Sequence, residues 1–153
     1  MRYRLICVGR VREAYVAAAV DDFERRLRRI DPLEIVEVAA SHGADPARAV
    51  REEAEAALKR VEPSDVVWLL ERTGRAFSSV ELSERLHTLQ VEGVSRLVLV
   101  IAGTYGAGEA LAARANLQWS LSPLTLLHEW VRAIVLEQLY RAAKIARNEP
   151  YHH

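Results

Sequence analysis

The chain reads as an α/β domain built on a largely parallel sheet, and three observations lead there. Short apolar or β-branched runs alternate with longer amphipathic stretches from one end to the other. Two of the runs, Asp65–Leu70 and Arg96–Ala102, are almost continuously apolar, as strands covered on both faces of a parallel sheet must be. No low-complexity linker or internal repeat interrupts the 153 residues, a length suited to a single domain over 1–153.

The elements follow in order. Arg2–Val8 is the first strand, and Glu13 to Arg29 a helix whose apolar side carries Val16, Val20, Phe23 and Leu27; Asp31-Pro32 ends it. Leu33–Val38 is the second strand. Asp45 is placed to cap a helix with Pro46 in its first position, running to about Val61 before Pro63. The third strand, Asp65–Leu70, is expected to be broken by Gly74. Ser78 and Glu81 have the spacing of a capping box, and Gly93 follows the helix they start. Arg96–Ala102 is the clearest strand. A turn with Gly103, Gly106 and Gly108 leads to a short helix through Arg114, Leu117–Ser120 makes a fifth strand, and Glu129 to about Arg147 the last helix.

Composition removes several function classes. Lys+Arg 21 against Asp+Glu 21 leaves no net charge, which argues against a basic field over the whole surface, though not against a local basic patch. The single cysteine, Cys7, excludes a disulfide scaffold and a Cys-based zinc site. The five histidines are scattered without metal-ligand spacing, so no metal is expected; no G-x-S-x-G elbow or phosphate-binding loop is present. No run approaches the ~20 apolar residues of a membrane span, and the apolar run Leu5–Val8 is too short for a signal peptide. A reducing, cytoplasmic location without membrane contact is expected.

Four segments stand out as carriers of function. The glycine turn after the most apolar strand is where an open α/β sheet places ligands, although its spacing matches no dinucleotide fingerprint. The stretch Trp119–His128 is too irregular for a helix and too long for a plain turn. The last helix carries Trp130, Val131, Ile134, Val135, Leu136, Leu139, Tyr140 and Ile145, more than one face can hold; it lies either in a deep groove of its own domain or also against a second copy of the chain. The terminal Tyr151-His152-His153 is either frayed or folded over a site.

The ordered set Leu70 with Gly74-Arg75, Ile101-Ala102-Gly103 with Gly106, Ser120-Leu121-Ser122 through Leu124-Thr125-Leu126 to His128, Arg132 with Glu137-Gln138, Tyr140-Arg141-Ala142, and Pro150-Tyr151-His152 resembles the RlmH family over the whole chain. These are small SPOUT-class methyltransferases that methylate N3 of a pseudouridine in helix 69 of 23S ribosomal RNA, using S-adenosylmethionine. The resemblance implies a C-terminal part threaded as a deep trefoil knot, which connection rules alone would reject in favour of an ordinary doubly wound sheet. It also implies a homodimer joined largely through the last helix. A net-neutral chain without a separate RNA-binding domain needs its substrate presented in shape, as an assembled ribosome does. Cofactor contacts carry over to Leu70, Gly103 and the loop Pro123, Leu124, Thr125, Leu126, Leu127 and His128.

Methyl transfer from a sulfonium to a ring nitrogen asks mainly that donor and acceptor be held in line, so few acid or base groups are required. The acceptor N3 must lose a proton, and His152 is the candidate catalytic residue to receive it. Arg132, Arg141 and Tyr151 are the candidate RNA contacts, with Lys144 and Arg147 beside them. The chain departs from the family pattern at Ala102, where a glycine is usual, at Leu127, where proline is usual, at Glu71 for aspartate and at the terminal His153. Rival readings are a non-catalytic dimeric nucleotide- or RNA-binding module of the same fold, and a SPOUT enzyme acting on transfer RNA.

Overall fold

A computed structural model describes residues 1–153. Its elements are β1 Arg2–Val8, α1 Ala14–Arg28, β2 Leu33–Val38, α2 Pro46–Leu58, β3 Val66–Ala76, α3 Ser79–Val91, β4 Arg96–Ile101, α4 Gly108–Arg114, β5 Leu117–Ser120 and α5 His128–Ala146. The five strands form one parallel sheet in the order β2-β1-β4-β3-β5. The expected α/β architecture is therefore observed.

Local chemistry sets the helix starts. Asp45 Oδ1 accepts the amides of Ala47 at 3.1 Å and Arg48 at 3.4 Å, with Pro46 leading α2. At α3 the Glu81 amide donates to Ser78 Oγ at 3.1 Å while the Ser78 amide donates to Glu81 Oε2 at 2.7 Å, the reciprocal capping box.

The pleat divides the core. Tyr3, Leu5 and Cys7 of β1 face the layer of α1, α3 and α5, together with Leu97, Leu99 and Ile101 of β4. Ile6 and Val8 face the layer of α2 and α4 with Val98 and Val100. At the strand starts, Arg96 donates to both carboxylate oxygens of Asp65, at 2.7 and 2.8 Å, tying β4 to the head of β3.

The third strand differs from expectation. It does not stop before Gly74 but runs to Ala76, with Trp119 of β5 opposite both Leu70 and Arg75. Residues 71 to 74 bow out, and the chain then rejoins the ladder. Gly74 permits this: a Cβ there would lie 2.5 Å from the Gln118 carbonyl oxygen and 3.0 Å from that of Glu71. The glycine is the close approach on which pairing resumes, not a strand breaker.

The last helix occupies a groove of its own chain between α1 and α3. Val135, Leu136, Leu139 and Ala142 are buried there, and the Ser83 hydroxyl of α3 donates to the Ala142 carbonyl at 2.8 Å. Trp130 remains 46% exposed, edge-on to the 61% exposed Tyr15 with ring centroids 6.4 Å apart. No helix is long and apolar enough to cross a membrane.

Candidate functional site

The C-terminal ends of parallel strands border a crevice, because the chain leaves neighbouring strands there toward different helices. Here the bow in β3 and the ends of β4 and β5 enclose a cavity of about 390 Å³, within the range of small-molecule sites. Leu70, Glu71 and Arg72 form one wall, Ile101 to Thr104 with Gly106 and Ala107 a second, and Leu121, Ser122, the loop Leu124–His128 and Val131 the third. Trp119, 3% exposed, closes the interior side.

Three stretches far apart along the chain thus meet, and they are those singled out from sequence. Leu70, Gly103, Leu124, Thr125, Leu126, Leu127 and His128 all line the cavity. Pro123 sits on the exposed outer corner of the same loop and is not in the wall. The corner is braced by the Leu124 amide, which donates to Ser122 Oγ at 3.0 Å, and by the Ser120 hydroxyl, which donates to the Arg72 carbonyl at 2.8 Å.

Gly103 makes a close approach. A Cβ there would lie 2.7 Å from Glu53 Oε2 and 3.0 Å from Val8 Cγ1, so the turn rests directly on α2 and β1. Its neighbour Ala102 needs no such freedom, since Asn148 is the one non-glycine residue with positive φ. The alanine for glycine exchange is therefore free of left-handed strain. Leu127, where proline is usual, has φ −60°, the angle a proline ring imposes.

The wall offers leucine side chains to a flat apolar group and the backbone of the turn and loop to polar edges, a lining that fits a small organic cofactor. Cys7 lies in the core and not in the wall, and burial pushes its thiol up to about 12 against the lesser opposing pull of Arg132.

The residues expected to contact RNA are placed differently. Arg132 is 4% exposed; its guanidinium donates to Glu37 Oε1 at 2.5 Å and to the Gly9 carbonyl at 3.0 Å, tying α5 to the ends of β1 and β2. It braces the crevice from inside and presents no face for RNA. Sequence reasoning took its charge as surface charge because the helix face it occupies is settled only by packing.

The tail, for which position alone favoured fraying, folds back onto α5. Asn148 takes φ 52°, and the amides of Asn148 and Glu149 donate to the carbonyls of Ile145 and Lys144, a Schellman turn. Tyr151 then packs edge-on to Tyr140 at 4.9 Å, lies under the Arg141 guanidinium at 4.7 Å and donates to Glu137 Oε1 at 3.0 Å. Burial, then the Glu137 carboxylate, hold its phenol above the usual range. His152 Nδ1 is 3.4 Å from Arg141 Nη1. Arg141, Tyr151 and His152 therefore form one cluster. That cluster lies roughly 20 Å along α5 from His128, at 1.5 Å per helical residue.

Residues 1–152 match the family model described as "Predicted SPOUT methyltransferase". The chain belongs to the SPOUT methyltransferase family. Among the relatives of this SPOUT methyltransferase, the Pelobacter propionicus protein is 42% identical over 153 residues, covering all of both chains, and the Gloeobacter violaceus protein 40% over 155 residues, covering all of this chain and 99% of the relative. The Rubrobacter xylanophilus protein is 42% identical, covering 99% of this chain and 98% of its own. Each of the three is named "Ribosomal RNA large subunit methyltransferase H". Arg72 is a wall residue that the sequence reading did not select, while Trp119 and Leu121 fall in the irregular stretch it singled out without being named as cofactor contacts; the strand-end rule applied to β5 points to the tryptophan.

Proposed function

We infer that this SPOUT methyltransferase methylates N3 of a pseudouridine in helix 69 of 23S ribosomal RNA, with the assembled ribosome as substrate. The observation that carries the reading is the cavity in which Leu70, Gly103 and the Leu124–His128 loop converge, together with the names of the full-length relatives. S-adenosylmethionine, bound there, supplies an electrophilic methyl group. Leu70, Leu124 and Leu126 would hold its adenine, and backbone groups of Gly103 and of the loop from Pro123 to His128 its polar edges.

The C-terminal part is proposed to be a deep trefoil knot within one domain spanning 1–153. Its support is topological: β5 lies at the sheet edge beside β3, yet α5, next along the chain, returns to pack between α1 and α3. The protein is proposed to act as a homodimer in the cytoplasm. The exposed Tyr15, Trp130, Leu124 and Leu127 gather beside the cavity mouth and the start of α5, an apolar surface fit for a second copy. Such a dimer also answers the separation along α5, since a partner helix running the other way brings the Arg141–Tyr151–His152 cluster to this protomer's cavity. His152 then accepts the acceptor proton, while Arg141 and Tyr151 hold the nucleotide.

Labelled S-adenosylmethionine incubated with the protein and either ribosomes or bulk transfer RNA tests the reading. Label in 23S RNA is expected; label confined to transfer RNA reassigns the substrate. No label, with no rise in melting temperature at millimolar donor, favours the non-catalytic module.

A further inference from the structure

A second cleft of about 630 Å³ opens beside the cofactor cavity, between the ends of β1, β2 and β4, and the two share Gly103, Thr104 and His128. Glu53 of α2 lies in its wall and is 5% exposed. One carboxylate oxygen accepts the Ser41 amide at 2.9 Å, while the other, Oε2, is buried with no hydrogen-bond partner. A buried carboxylate oxygen left unpaired is destabilising, and native proteins retain few such groups without a functional or structural reason. The orphan oxygen is also the atom that packs on Gly103, the residue common to both cavities.

The surroundings describe the ligand. Arg10 and Arg12 line the cleft, are exposed, and enter none of the salt bridges, which elsewhere engage Arg4, Arg96 and Arg132. Tyr105, 55% exposed, supplies a free aromatic face on the same rim. Two unpaired guanidiniums, an aromatic ring and a buried acceptor together fit a nucleotide of single-stranded RNA: phosphates on the arginines, the base on the ring, an N–H on the carboxylate.

We propose that this cleft holds the acceptor nucleotide and that Glu53 is a specificity-determining residue, its free carboxylate oxygen accepting the N1–H of pseudouridine. The inference rests on the ribosomal reading above. Pseudouridine is joined to its sugar through carbon and keeps an N–H at both N1 and N3; uridine has its N1 blocked by the glycosidic bond. With N3 turned to the cofactor cavity, only pseudouridine retains a second N–H for a group that can accept but not donate. Leaving such an acceptor unpaired is what gives a polar site its discrimination.

The test compares wild-type protein, Glu53→Gln, Glu53→Asp and the double variant Arg10→Ala/Arg12→Ala on ribosomes carrying either pseudouridine or uridine at the target. Affinity for S-adenosylhomocysteine is measured by calorimetry on the same preparations. In Glu53→Gln, which keeps size and the Ser41 contact, kcat/KM on the pseudouridine ribosome is expected to fall at least tenfold and the preference over uridine to collapse toward one, with cofactor affinity within twofold of wild type. Glu53→Asp, which withdraws the acceptor but keeps its charge, should lie between. The arginine pair should raise KM for both ribosomes alike.

An unchanged preference in a folded Glu53→Gln protein overturns the inference. So does a loss of cofactor affinity parallel to the loss of turnover, which would make Glu53 a brace for Gly103. A wild-type protein that labels neither ribosome defeats the ribosomal reading itself and this inference with it, whereas an active wild type isolates the fault to Glu53.

Discussion

Gly74 of β3 rests against the Gln118 carbonyl of β5 so closely that a methyl group at its α-carbon would sit 2.5 Å from that oxygen. The contact is backbone on backbone, with no flexible side chain to move aside. It sets where β3 rejoins the ladder and holds out Glu71 and Arg72, which form a wall of the cavity proposed for the methyl donor.

Gly74→Ala should therefore destabilise the protein by about 1–3 kcal/mol, the usual cost of forcing volume into a packed site. It should also weaken S-adenosylhomocysteine binding. Urea denaturation and calorimetry measure the two effects; a wild-type midpoint would show that the strands separate freely at this point.

Arg132→Met should behave as a stability variant and not as an RNA-binding one. It removes a guanidinium whose Nη1 meets Glu37 and whose Nη2 meets the Gly9 carbonyl. Glu37 stays half exposed and can be solvated, so the loss is about 2–4 kcal/mol, from the two hydrogen bonds and the packing. The midpoint of denaturation should fall while KM for the ribosome holds; the opposite pattern would return Arg132 to the RNA surface.

Leu127→Pro should stabilise. Leu127 already has φ −60°, its side chain is exposed, and its amide donates no backbone hydrogen bond, so proline mainly restricts the unfolded chain. A gain of about 0.4–1 kcal/mol is expected, with tighter cofactor binding from a stiffer loop. A lower melting temperature would mean that the residue before it needs a conformation proline forbids.

The Asp65–Arg96 pair should make stability fall with acid. Burial alone would raise the Asp65 carboxyl, but the hydrogen bonds from Arg96 and from the Glu62 amide, with the Arg96 and Arg4 charges, outweigh it and hold the group below its ordinary range. A lowered native value means that the unfolded chain binds the proton more readily. The contribution is thus complete above the unfolded value and is lost as the pH drops below about 4. Asp65→Asn should be less stable than wild type at pH 7, with the gap narrowing at pH 3; a pH-independent gap would exclude the ion pair as its source.

His152→Ala should lower methyl transfer with little change in donor affinity. Because His152 lies at the far end of α5 from its own cavity, mixing it with a variant blocked at the cavity, such as Gly103→Val, should restore part of the activity through mixed dimers. Mixtures no more active than the parent variants would place both functions in one protomer.

Much of this molecule is readable from neighbours in sequence. The strands, the Asp45 and Ser78 caps and the parallel sheet follow from period and from side-chain to backbone bonds spanning three or four residues. The cavity wall was legible only in part: the glycine turn and the irregular loop pointed to strand ends where a ligand could lie, while Leu70 and the 123–128 loop were joined to the turn as one site only by the family resemblance. Gly74, Arg132 and the tail were not legible, for a common reason. A glycine can end a strand or admit a neighbouring backbone, and the difference lies in Gln118, 44 positions away. An arginine on a helix is solvated or buried according to whether Glu37 and Gly9 stand opposite it. Local propensity acts through a few bonds and so is written locally; the environment of a charge, and the room available to a Cβ, depend on which distant segments pack there, and that is known only when the chain has closed on itself.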